Sequence, residues 1–201
     1  PSDLAMIDVT TANYLDSDTP FVTYYFTVSG HTHYNWSGNS MSYKNKSLVA
    51  DLDYSETAKA YLASQVELDK ALELLIERLT EAGELDNTVI ALVGDHHPYN
   101  MATGTSDTPD IDIINELSDR SETKDNIIEV NRSNFILWNS TTPTTHITKV
   151  GSQVDVLPTL LNLFGVEYDS RLLIGKDILS DTPGIAVFSD RSWVTDEGRY
   201  Y

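Results

Sequence analysis

The chain has 201 residues, enough for one domain with its own core, and 40% of them are hydrophobic. Thirty-one acidic against 13 basic residues give a formal net charge of -18, which argues against nucleic acid as a partner, because neutralising phosphates needs clustered Lys and Arg. There is no cysteine, so disulfides, Cys-based zinc sites and thiol catalysis are excluded. No apolar run reaches transmembrane length and no signal-peptide pattern opens the chain. The abrupt start, Pro1-Ser2-Asp3-Leu4, is that expected of a piece excised from something longer.

In chain order, Phe21-Val22-Thr23-Tyr24-Tyr25-Phe26-Thr27-Val28 predicts a strand, apolar enough on both faces to be a central parallel one. It ends in Ser29-Gly30-His31-Thr32-His33-Tyr34, and the Asn-, Ser- and Gly-rich stretch from Asn35 to Asn45 predicts a loop. A long helix follows, from about Ser55 to Ala82. Tyr61, Leu62, Val66, Leu68, Leu72, Leu75, Ile76 and Leu79 supply its apolar stripe. Asp53 with Glu56, or Ser55 alone, can cap its start, and Gly83 its end. Thr88 to Val93 is a β-branched apolar run that predicts a buried strand. Strand, helix and strand in this order form a βαβ crossover, normally parallel and right-handed.

The second strand leads into Gly94-Asp95-His96-His97-Pro98-Tyr99. Thr103 to Asn126 is a polar, acidic surface excursion or lid, with one short amphipathic piece from Ile111 to Leu117. Asn134 to Asn139 is a further strand, and Thr141 to Thr148 a threonine-rich loop holding His146. Val154 to Phe164 predicts a second helix closed by Gly165. Ser152 and Asp155 have capping-box spacing, and Pro158 favours a start near Asp155. Gly184 to Ser189 and Ser192 to Thr195 make a final strand pair joined near Asp190-Arg191. The expectation is one α/β domain over residues 1–201, a mostly parallel sheet flanked by helices with a small C-terminal strand pair.

The chemistry gathers at two strand ends. Ligands of open α/β sheets bind outside the carboxyl ends of strands. Asp oxygen and His nitrogen suit a divalent transition metal, so Asp95 and His96 are candidate ligands, although a site needs at least a third. The five histidines include two in this motif and two after the Phe21–Val28 strand. His31 follows Gly30, which permits a tight turn, and its imidazole can serve an anionic substrate or protonate a leaving group. His33 and His97 line a cleft or face solvent and His146 belongs to the surface; most of the eleven tyrosines are packing or surface residues, with Tyr34 and Tyr99, beside the motif histidines, as candidates to shape a pocket. Asn35, Asn45, Asn131 and Asn139 fit Asn-x-Ser/Thr by chance and receive no role. Neither a Gly-x-Ser-x-Gly elbow nor a P-loop nor a dinucleotide fingerprint is present.

Together these residues form a resemblance. Thr27-Val28-Ser29-Gly30-His31-Thr32-His33-Tyr34-Asn35-Trp36 resembles the strand-end motif of lipoteichoic acid synthase-like proteins, in the sulfatase branch of the alkaline phosphatase superfamily. Asn87-Thr88-Val89-Ile90 with Gly94-Asp95-His96-His97-Pro98-Tyr99 resembles their metal-binding strand end. Val154-Asp155-Val156-Leu157-Pro158-Thr159-Leu160-Leu161 and Gly175-Lys176-Asp177-Ile178-Leu179 resemble the segments near their C-terminus. The resemblance implies an alkaline-phosphatase/sulfatase-like fold and a metal-dependent phosphoglycerol transferase acting on a phosphatidylglycerol-type lipid. It implies Asp95 and His96 as ligands of a manganese-type ion, with His31 beside the substrate phosphate or leaving oxygen.

The family's threonine nucleophile, a further carboxylate ligand and the membrane helices have no match here. The expectation is therefore the C-terminal half of a catalytic domain, inactive alone, whose parent sits at the extracellular face of the cell membrane. Its substrate would be an anionic lipid or glycopolymer, and a homodimer would form through the exposed sheet edge. A sulfatase or phosphatase on another ester, or a non-catalytic surface module binding anionic glycopolymer, are the rival expectations.

Overall fold

Ser2 starts the first helix. Its hydroxyl accepts from the Ala5 N–H at the N-cap of α1 (Asp3–Thr10). The computed structural model describes residues 2–98, 111–118 and 127–201, which divide into two compact units. The first comprises Pro1–Ile90, His96–Arg132 and Trp138–Thr141, the second Ala91–Asp95, Ser133–Leu137 and Thr142–Tyr201.

In the first unit the stretch expected as loop contains a short helix, α2 (Ser40–Lys44), because Asn39 caps it. The long helix is α3 (Glu56–Glu81), with Ser55 as its N-cap. Ser55 is itself held by Glu116, whose two carboxyl oxygens accept from its N–H at 2.5 Å and its hydroxyl at 2.7 Å. Gly83 ends the helix at φ +75°, letting the Glu84 N–H reach the Leu79 carbonyl at 2.9 Å. The buried line of α3 steps by four through Ala63, Glu67, Ala71, Leu75 and Leu79. The predicted stripe is therefore shifted: Leu62, Val66, Leu68, Leu72 and Ile76 are only half-buried. The alanines admit α1 and α2 close to α3, and Ile7 of α1 joins Ala71, Leu75 and Leu79 in one core cluster.

Glu67 interrupts this apolar line and is fully buried. Lys44 of α2 pairs with it at 2.9 Å and Asn45 donates to it at 3.4 Å. Burial raises the Glu67 pKa, but hydrogen bonds from Lys44, Ser2 and Asn45 and the Lys44 charge outweigh that and hold it below the ordinary value.

The segment 21–28 has no regular secondary structure and joins neither sheet, which corrects the expectation of a central strand. Phe21 and Tyr25 pack against the Ile7 cluster. Val22, Tyr24, Phe26 and Val28 are 100%, 83%, 64% and 54% exposed. Thr23 and Thr27 are exposed as well, so only Phe21 and Tyr25 of this segment are partly covered. Without a partner ladder the segment forms no sheet among the described residues, so the βαβ crossover and the mostly parallel sheet are not assembled from it.

The strand expected over 88–93 is β1 (Ile90–Val93). Beyond it, α4 (Ile111–Ser118) matches the amphipathic piece, and α5 (Ile127–Val130) follows. Residues 99–110 and 119–126, and with them Tyr99 and most of the expected lid, lie outside the described residues. Ile114 and Val130 bury Tyr34 in a second cluster. Tyr34 meets Tyr61 edge-on at 5.2 Å, so it is a core residue and not the pocket residue expected.

β1 pairs with β2 (Phe135–Trp138) in a two-stranded sheet. In the second unit the Ser152/Asp155 capping box forms and opens a single 3-10 turn, Gln153–Asp155, before α6 (Val156–Leu163). That start puts Pro158 in the first turn, where its missing N–H costs little. The C-terminal strands are β3 (Ile185–Val187) and β4 (Trp193–Thr195), antiparallel with Ala186 opposite Val194. A third strand that the sequence analysis did not anticipate, β5 (Arg199–Tyr200), pairs with β4. No helix among the described residues is long and apolar enough to cross a membrane.

Candidate functional site

His31 lies in a tight turn at the end of segment 21–28, closed by its N–H on the Val28 carbonyl at 3.1 Å. A Cβ at Gly30 would lie 2.4 Å from the Gln65 amide of α3, so a larger residue here would displace the end of that side chain. Asp3 holds one flank, its Oδ1 accepting from the Val28 and Ser29 N–H groups at 2.8 and 3.3 Å. Its own N–H donates to the Ser29 hydroxyl at 2.9 Å. Asn39 holds the other flank through the Ser29 and His31 carbonyls. The imidazole itself is exposed. Its Nδ1 lies 3.1 Å from the Thr32 carbonyl, an acceptor only, so Nδ1 carries the hydrogen and Nε2 the lone pair. The neighbouring Thr32 hydroxyl is enclosed, with no hydrogen-bond partner among the described residues.

The second candidate group follows β1. The side chain of Gln153 donates to the carbonyls of Gly94 and Asp95 at 2.7 and 2.6 Å, pinning the backbone where the strand ends. Asp95 and His96 are both exposed. His96 Nδ1 donates to the His97 carbonyl at 2.8 Å, which again puts the lone pair on Nε2. His97 is half-buried and its Nδ1 meets Asn131 Oδ1 at 2.7 Å, so it is a structural residue. His33 and His146 are exposed.

The His96 tautomer fits a metal ligand, because ligating imidazoles usually donate the other ring N–H to a carbonyl or carboxylate. Asp95 supplies the matching oxygen chemistry. Among the described residues, however, no group of three or more His, Asp or Glu side chains can hold a metal. His31, Asp95 and His96 are thus not gathered into a three-donor centre. Two donors fall short of the three protein ligands of a catalytic site.

Residues to which the sequence analysis assigned no role, or which it did not single out, carry the positioning: Asp3, Asn39, Gln65 and Gln153. Asn45, whose Asn-x-Ser/Thr match had no role, is buried and links the Met41 and Ala63 carbonyls to Glu67. Asn139 ties the Thr88 carbonyl at 2.8 Å. Apart from Gln65, which lies within α3, only their polar type at a turn or helix start hints at this, since most partners lie far off in the chain.

A family model described as Sulfatase matches residues 1–166. The lipoteichoic acid synthase-like YvgJ of Bacillus subtilis (strain 168) is 27% identical over 187 residues, covering 90% of this chain and 28% of that protein. The lipoteichoic acid synthase of Staphylococcus saprophyticus is 26% identical over 191 residues, covering 94% of this chain and again 28% of the relative. Among solved structures, the lipoteichoic acid synthase LtaP from Listeria monocytogenes superposes with a TM-score of 0.73 at 21% identity, over 97% of this chain and 48% of that one. Ps i-CgsB in complex with k-i-k-neocarrahexaose gives 0.69 at 16%, over 96% and 43%. These two likenesses show the alkaline-phosphatase-like α/β fold alone. The chain spans only 28% of the length of the curated relatives. With the Sulfatase model matching most of its residues, in an order that includes both strand-end motifs, the chain belongs to the sulfatase family.

Proposed function

We propose that this chain is the C-terminal part of the catalytic domain of a metal-dependent phosphoglycerol transferase of the lipoteichoic acid synthase kind. Its substrate would be a phosphatidylglycerol-type lipid or the anionic glycopolymer built from it. The parent would be membrane-anchored and act at the extracellular face of the cell membrane. In the whole domain, segment 21–28 takes its place in a mostly parallel sheet. The observation that carries the reading is that His31 and His96, each beyond the end of an apolar run, both hold Nδ1–H on a backbone carbonyl. This occurs in a chain whose relatives include lipoteichoic acid synthases.

In this reading Asp95 and His96 are two ligands of a divalent ion of the manganese type. Such an ion would supply Lewis-acid chemistry there, offsetting negative charge on oxygen. His31 uses Nε2 to bind the substrate phosphate when protonated, or to pass a proton to the leaving oxygen. The nucleophile belongs to a part of the parent that this chain does not contain. The isolated chain therefore turns over neither phosphoglycerol nor aryl-phosphate substrate, and turnover above buffer would overturn that assignment.

The half-site has its own test, independent of activity. Mn2+ added to the chain should broaden the His96 ring signals first in NMR spectra, and Asp95→Ala should abolish the selectivity. Equal broadening of all five histidines would remove the metal reading. A sulfatase or phosphatase on another ester is the second reading, favoured by the description of the matching family model. Assays of the full-length parent on aryl sulfate and aryl phosphate separate the two.

A further inference from the structure

We infer that Asn39 is a positioning residue for His31, a reading whose functional weight rests on the role proposed above for that imidazole. The Asn39 side chain performs two tasks at once. Its Oδ1 accepts from the N–H groups of Met41 and Ser42 at 2.8 and 3.1 Å, which starts α2. Its Nδ2 donates to the carbonyls of Ser29 and His31 at 3.0 and 2.9 Å. The amide has only one orientation that satisfies these four partners, because N–H groups only donate and carbonyls only accept.

The frame behind this clamp is rigid. Ser42 of α2 donates its hydroxyl to the Ala60 carbonyl of α3 at 2.7 Å, and Lys44 pairs with buried Glu67. Asp3, 1% exposed, braces the opposite flank of the turn through the Val28 and Ser29 N–H groups. The His31 backbone is thereby referenced to α3 through α2, while its ring stays exposed. A functional side chain in a turn gains its precision from such supporting bonds. Asn39 touches no reacting atom in this reading and acts only through the Ser29 and His31 carbonyls.

The two tasks separate chemically. Asn39→Asp keeps an acceptor of equal capping quality but sets an oxygen against the two carbonyls in place of a donor. Asn39→Ser keeps a shorter cap and replaces the two-donor amide with a single hydroxyl hydrogen, which cannot serve both carbonyls. The experiment is NMR of the chain carrying 13Cε1-labelled histidine, with His31 assigned by His31→Gln, together with thermal melts and titration with inorganic phosphate. The expected result is a His31 signal that shifts or splits in both variants while those of the other four histidines hold. Phosphate affinity at His31 should fall roughly tenfold or more, with Tm changed by only a few degrees because the cap survives.

An unchanged His31 signal in both variants overturns the proposal, as does an equal shift of all five histidines. If Asn39→Asp fails to fold, the serine variant decides alone. If phosphate leaves the wild-type His31 signal unmoved, the substrate role of His31 falls, whereas the clamp stands or falls on the variant spectra.

Discussion

A carboxyl group with no exposure stands at residue 67, in the middle of the line by which α3 buries itself. Its desolvation would be costly if it were unpaired, so the pairing sets a pH dependence. The folded-state pKa of Glu67 is lowered, the hydrogen bonds and charge around it outweighing burial. Its contribution to stability is therefore present above the unfolded carboxyl value, about 4.3, and is lost as pH falls through the folded value. Melting curves between pH 7 and pH 3 should show Tm falling at the acid end, with a flatter acid limb in Glu67→Gln. Lys44→Met should cost about 2 kcal/mol at pH 7, below the range for fully buried pairs because Lys44 is half-exposed. That difference should shrink in acid, where Glu67 is neutral. An equal penalty at pH 7 and pH 3 would show that Lys44 acts by packing alone. Residue types at the candidate site were legible from sequence: Asp95, His96 and His31 each announce themselves by position after a strand-like run. The clamps were not, since Asn39 reaches His31, and Asp3 reaches Val28, only once the chain has folded.

Among the elements, α3 was the most legible, because a 3.6-residue period, a serine cap and a glycine stop all agree over many turns. Its register was less so. Alanines, one glutamate and only Leu75 and Leu79 of the predicted leucines make the buried line, since helices that approach closely need small residues there. Gly83 offers a clean test of the stop signal. It sits at φ +75° and a Cβ added there meets nothing within 4 Å, so Gly83→Ala should cost about 1 kcal/mol through backbone conformation alone. Urea unfolding should place Gly83→Asn between the two, because asparagine tolerates the left-handed region. An alanine variant as stable as the parent would mean that the helix end relaxes without penalty. Segment 21–28 misled at this scale for a physical reason. Its apolar pattern encodes a strand buried on both faces, but pairing is a property of the neighbours, and among the described residues none pairs with it in either sheet.

For the molecule as a whole, that segment and the net charge act in opposite directions. Val22, Tyr24 and Phe26 offer an exposed apolar row on a segment that joins no sheet among the described residues, a template for strand addition, and we propose a second copy of the chain as its partner. Each copy carries a formal charge of -18, so two copies repel one another, and the repulsion is screened over about 10 Å at 0.1 M salt and over about 3 Å at 1 M. Self-association should therefore be weak in dilute buffer and strengthen as sodium chloride is raised, the reverse of what an ion-paired interface would do. Sedimentation velocity across that salt range should show the average mass climbing from monomer toward dimer. Val22→Lys combined with Phe26→Lys should hold the chain monomeric at every salt concentration, because each substitution places a charge within the apolar row. A dimer that forms equally well in this double variant would locate the interface elsewhere, and a mass that falls with added salt would assign association to charge pairing and not to the apolar row.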